Sequence, residues 1–144
     1  MAEAFSVESV IVDTGIIYAL ADRKDKWHVP SVDFVKRFNG RLIVPSTVIP
    51  EVCYLLNTYL GQFAEGAFVH ALVKREFVIE FVTHDDLARC LEILSDYADA
   101  NIGLVDASVV AVAERLKITR ILTTDRRHFS IIKPKHCPAF ELLP

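Results

Sequence analysis

Glycine is scarce, with 5 in 144 residues, and Gly15 and Gly40 each stand alone. That excludes the glycine-rich loops that cradle nucleotide phosphates. Cysteine is sparser still. Cys53, Cys90 and Cys137 are odd in number and widely spaced, so they form neither a disulfide framework nor a zinc site and fit reduced thiols in a cytosol. No apolar run approaches a membrane span, and residues 1–5 carry no basic lead into one, so the expected location is cytoplasmic, with no membrane contact. An excess of positive charge is also missing. A net charge of −3 gives no general pull toward nucleic acid, so a polyanion would have to be met by a local basic patch or through bound metal.

What is present is the make-up of one globular domain spanning 1–144, with 52% hydrophobic and 24% charged residues. Short β-branched or apolar runs at 7–12, 42–45, 77–82, 119–123 and 140–143 read as strands. Between them lie stretches of helical spacing: 16–21, 27–38 closed by Asn39-Gly40, a helix opening near Pro50-Glu51 and closing at Gly61, then 63–75, a capped start at Thr83 running to about Tyr97, and 103–116. Apolar strands alternating with helices predict a parallel sheet covered on both faces, a three-layer α/β/α sandwich. Ligands of such sheets sit at the carboxyl ends of the strands.

Acids occupy those ends. Asp13 and Asp125 each follow a strand, while Glu51 and Asp106 fall in the opening turns of helices able to border the same cleft. Asp106 alone could be an ordinary first-turn acid, but four converging acids exceed what capping requires. Clustered carboxylates repel, so at neutral pH cations must neutralise them or some must take up protons. Oxygen-only ligation selects a hard ion, Mg²⁺ or Mn²⁺, of the kind that assists displacement at phosphorus. Thr14, Ser46, Ser108 and Thr124 could hydrogen-bond behind the acids, although each is also an ordinary cap or turn residue. The histidines are scattered without paired metal spacing; His128 is kept as a candidate because it follows Asp125 closely. A phosphotransferase using Asp13 as nucleophile would want a second acid where Gly15 stands.

Taken together, Val12-Asp13-Thr14, Pro45-Ser46-Thr47-Val48-Ile49-Pro50-Glu51-Val52, Leu104-Val105-Asp106-Ala107-Ser108 and Leu122-Thr123-Thr124-Asp125-Arg126-Arg127-His128-Phe129 resemble the PIN-domain ribonucleases, in particular the toxins of VapBC toxin–antitoxin modules. The match runs in order over essentially the whole chain. The resemblance implies a PIN-like α/β/α fold, a divalent-metal site (Mg²⁺ or Mn²⁺), and endonucleolytic hydrolysis of RNA by activated water. By position it makes Asp13, Glu51 and Asp106 the principal catalytic and metal-binding acids and Asp125 the more variable fourth. Asp99 reads as a helix-end or loop acid. Gly15 departs from the bulkier or hydroxyl residue of many relatives but removes no ligand. Arg126 and Arg127, and less so Arg23, Lys24 and Lys26, are the expected RNA-phosphate contacts. The implied partners are an RNA substrate, a cognate antitoxin protein and a second copy of the chain in a homodimer, with Tyr18, Trp27, Phe34 and Phe38 as the candidate apolar contact surface. A non-catalytic PIN-like RNA-binding or assembly module is the alternative.

Overall fold

The computed structural model describes residues 8–144. Five strands, β1 (Ser9–Val12), β2 (Arg41–Pro45), β3 (Val78–Glu80), β4 (Arg120–Leu122) and β5 (Glu141–Leu143), form one sheet in the order β3-β2-β1-β4-β5. Every pairing is parallel. Val7, placed in the first strand by the sequence pattern, lies outside the described residues.

Parallel neighbours require crossover helices. These are α1 (Thr14–Ala21) and α2 (His28–Arg37), then α3 (Val48–Leu60) and α4 (Gln62–Val73), then α5 (His84–Asp96) and α6 (Leu104–Leu116), and finally α7 (Arg126–Ile131). The strand order makes the first two crossovers run one way along the sheet and the last two run the other way. Because such crossovers are right-handed, the reversal puts α1–α4 on one face and α5–α7 on the opposite face. The packing agrees, since α1 touches α2 and α3, α3 touches α4, and α5 lies on α6. The result is the expected three-layer sandwich, with a wholly parallel sheet.

Strands covered on both faces must be apolar throughout, and Val10, Ile11, Val12, Val44, Ile121 and Leu122 are fully buried. On α6 the small residues Ala107, Ala111 and Ala113, alternating with Val109, Val110 and Val112, let the helix lie close to the sheet, and all six are buried. Gly61 joins α3 to α4 at φ 98°, a left-handed conformation that costs other residues a steric penalty. Thr83 and Asp86 cap α5 reciprocally: the Asp86 amide donates to Thr83 Oγ1 and the Thr83 amide to Asp86 Oδ2, each at 3.0 Å. The helix α7 was absent from the expectations drawn from sequence. Its six residues carry too little periodicity to declare themselves, and Asp125 starts it by accepting the His128 amide at 3.0 Å.

Candidate metal centre

The sheet order reverses at β1, whose neighbours β2 and β4 lead away in opposite directions. A cleft opens at the carboxyl ends of strands flanking such a switch point. Asp13 leaves β1 there and Asp125 follows β4 by three residues. Glu51 sits in the first turn of α3, which leaves β2, and Asp106 in the first turn of α6. The structure therefore brings all four expected acids to one end of the sheet.

Their environments differ. Asp13 is only 5% exposed. Burial pushes its carboxyl up to about 7, with the charges of Asp106 and Glu51 adding to the rise, while the Thr14 amide and Thr123 hydroxyl oppose it. Asp106 is raised too, first by burial and then by the Asp125 charge, with His128 pulling the other way. Glu51 lies at the exposed rim.

Hydroxyl groups hold these acids in place. Thr14 Oγ1 donates a hydrogen bond to Glu51 Oε1. Ser108 Oγ donates to the Val105 carbonyl at 2.6 Å, which leaves Thr47 Oγ1 to donate to Ser108 across 2.5 Å. That bond fixes the start of α3 on α6 and so sets Glu51 relative to Asp106. Ser46 turns away, accepting the Val82 amide at 3.0 Å and securing the end of β3. Thr124 lies against Gly15, where a Cβ would overlap its Oγ1. A bulkier residue at 15 would force this contact to shift, which explains the glycine.

Two residues behind the centre were missed or underweighted by the sequence reading. Thr123 is fully buried; it donates to Asp13 Oδ2 at 2.9 Å while accepting the Asp125 amide at 2.9 Å, tying two acids together. The register explains this: Val12 pairs with Leu122, so the next residues, Asp13 and Thr123, sit side by side. His128 places Nδ1 2.8 Å from Asp125 Oδ2 and 3.3 Å from Asp106 Oδ2. An imidazole therefore stands beside two of the acids that were expected to form an oxygen-only set.

The two expected basic residues have different surroundings. Arg126 donates to the Leu142 and Pro144 carbonyls at 3.2 and 2.7 Å and covers the Trp27 ring at 5.4 Å, so it secures the chain's last strand. Arg127 is exposed. Asp99 is exposed in a 3-10 turn at Ala98–Ala100.

One carboxyl half-protonated near neutral pH, beside others crowded in the same cleft, is a donor set that a divalent cation completes. The residues present fit such an ion. For the metal-free protein the sign of the effect on stability follows from Asp13. Its folded pKa, about 7, lies above the ordinary aspartate value of 3.8, so the folded state binds the proton more tightly. Stability is therefore expected to fall as pH rises from about 4 to about 7, by up to ~4 kcal/mol, with Asp106 acting in the same direction. Urea titrations at pH 5 and pH 8 measure this, and a divalent cation should reduce the difference.

Fold and site together define an α/β protein with a carboxylate centre at the switch point of a parallel sheet. The PIN domain family model matches residues 10–133, and the chain belongs to that family. It is 30% identical to ribonuclease VapC26 of Mycobacterium tuberculosis over 135 residues, 94% of this chain and all of that protein. Among solved structures, VapC20 of Mycobacterium tuberculosis, a sarcin-ricin loop cleaving toxin, superposes with a TM-score of 0.77 at 24% identity, covering 82% of this chain and 91% of that one. A toxin–antitoxin complex from Klebsiella pneumoniae gives a TM-score of 0.66 at 19% identity, over 85% of this chain and 92% of that one.

Proposed function

We propose that this chain is a divalent-metal-dependent endoribonuclease that hydrolyses RNA phosphodiester bonds as the toxin of a type II toxin–antitoxin module. The observation that carries the reading is the convergence of Asp13, Glu51, Asp106 and Asp125 at one switch point, in a chain 30% identical to a ribonuclease over 94% of its length. The four acids would hold Mg²⁺ or Mn²⁺. When bound, the ion supplies charge neutralisation and polarisation at phosphorus. Thr123 orients Asp13, Thr14 orients Glu51, and the Thr47–Ser108 bond keeps the helices bearing Glu51 and Asp106 in register. Arg127, exposed two residues after the fourth acid, would meet an approaching phosphate.

An antitoxin is the partner this reading implies. The expected aromatic surface supports it less than a different one does. Phe34 and Phe38 stack on each other at 5.2 Å and pack against the core, and Trp27 lies under Arg126, while Tyr18 alone of the four meets Tyr59 edge-on at 6.2 Å. The open apolar face is instead on α3 and α4, where Tyr59, Phe63 and Val73 are 68%, 91% and 75% exposed. Beside it runs a groove of about 360 Å³ lined by Ile17, Leu20, Leu56, Phe63 and Phe68. Apolar area of this kind marks a protein contact, for an antitoxin or for a second copy of the chain. No helix among the described residues is long and apolar enough to cross a membrane, and the cytoplasm is where we place the activity.

Product chemistry tests the reading. Attack by water leaves no 2′,3′-cyclic phosphate, because the ribose 2′-hydroxyl is not the nucleophile. RNA incubated with the protein and Mg²⁺ or Mn²⁺ should yield fragments free of cyclic ends. Cyclic phosphates, or cleavage undiminished by chelator, would overturn it.

A further inference from the structure

We infer that His128 is a metal ligand beside Asp106 and Asp125, making this half of the centre a mixed nitrogen–oxygen site that prefers Mn²⁺ to Mg²⁺. The inference rests on the proposed nuclease reading and adds to it an imidazole and an ion preference. One donor atom each from Asp106, Asp125 and His128 lies within 4.8 Å of the other two. The separations from His128 Nδ1 to the carboxylate oxygens, 2.8 and 3.3 Å, are those of ligands sharing one ion. Donors about 2.1 Å from an octahedral cation stand about 3.0 Å apart along each edge.

The imidazole is held where a ligand needs to be. Its backbone amide is bonded to Asp125 Oδ1 at 3.0 Å, which fixes the first turn of α7, and the next residue, Phe129, is buried in the core at 1% exposure. Asp125 is itself fixed by the bond from its amide to Thr123. Without an ion, Nδ1 can donate to either carboxylate; without its proton, the same atom presents a lone pair to the point those carboxylates share. Asp106, Asp125 and this ring meet there, with the Glu51 charge also acting on Asp106. Nitrogen donors shift selectivity away from Mg²⁺, which prefers oxygen, and toward Mn²⁺ and its neighbours.

Electron spin echo modulation of Mn²⁺ bound to the purified protein, without RNA, reads the ligand directly. The expected result is a ¹⁴N modulation from coordinated imidazole in the wild type that disappears in both His128→Gln and His128→Asn. Mn²⁺ should also bind at least about tenfold more tightly than Mg²⁺ in the wild type, a ratio that narrows in the variants. Bound Mn²⁺ without ¹⁴N modulation in the wild type overturns the inference and leaves the nuclease reading standing, whether or not the variants fold. Modulation persisting in folded variants also overturns it, because another histidine would be the source. Failure of the wild type to bind either ion counts against the nuclease reading itself.

Discussion

Replacing Asp13 by Asn is expected to lower RNA cleavage by at least about a thousandfold, ~4 kcal/mol of transition-state stabilisation, and to make the metal-free protein more stable at pH 8. The two effects have one cause. Asp13 is buried, and its charge is opposed by burial and by Asp106 and Glu51. An amide of the same shape still accepts the Thr123 hydroxyl but carries no charge to repel, and no charge for a cation to bind. The stability gain should shrink toward pH 5, where the wild-type carboxyl is itself protonated. Cleavage assays with thermal melts at both pH values measure the pair of effects. A variant that cleaves normally would remove Asp13 from the centre, and one that is less stable at pH 8 would remove the electrostatic account.

The second large effect lies at the other end of α6. Glu114 is 9% exposed and accepts Arg89 Nε at 2.7 Å and Nη2 at 3.0 Å, and its Oε2 also takes the Lys135 amide at 2.9 Å. One carboxylate thus joins α5, α6 and the segment leading to β5. Glu114→Ala leaves the Lys135 amide and two of the three guanidinium nitrogens of Arg89 without their acceptor, while Arg89 Nη1 keeps Glu92 at 3.2 Å. Breaking a buried pair from one side costs about 3–5 kcal/mol, and with Glu92 still beside Arg89 the lower end applies, so the melting temperature should drop by ~10 °C. Calorimetry tests this, and Glu114→Gln, which retains an acceptor, should lose less. Metal affinity should be unchanged, because the pair lies at the opposite end of α6 from Asp106.

The fold was legible because fully covered strands leave a plain mark, short β-branched runs such as Val10-Ile11-Val12 that end at an acid. Asp13 and Asp125 could be placed at strand ends from that mark alone. Thr123 could not be separated from Thr124 in the same way. Its role depends on β4 lying next to β1, and that neighbour relation comes from the strand order, which local patterning does not encode. The sequence also places Arg126 and Arg127 side by side without showing that Arg126 is taken up by Trp27 and the last strand. His128 was underweighted because its spacing from Asp125 gives it no distinctive metal pattern; the short helix α7 turns it back onto that acid, and the fold supplies Asp106. In each case the missing information was tertiary: which elements are neighbours, and which way a side chain turns once they are.

The most direct test of the central claim is cleavage of RNA by the wild type and by Asp106→Asn, purified identically, with Mn²⁺ or Mg²⁺ and again with chelator. Cutting by the wild type only, and only with metal, is the predicted result, because Asp106 stands between the buried Asp13 side of the centre and the Asp125–His128 side. Equal cutting by both proteins, or cutting that persists in chelator, would contradict the assignment of the carboxylate centre as the site of the reaction.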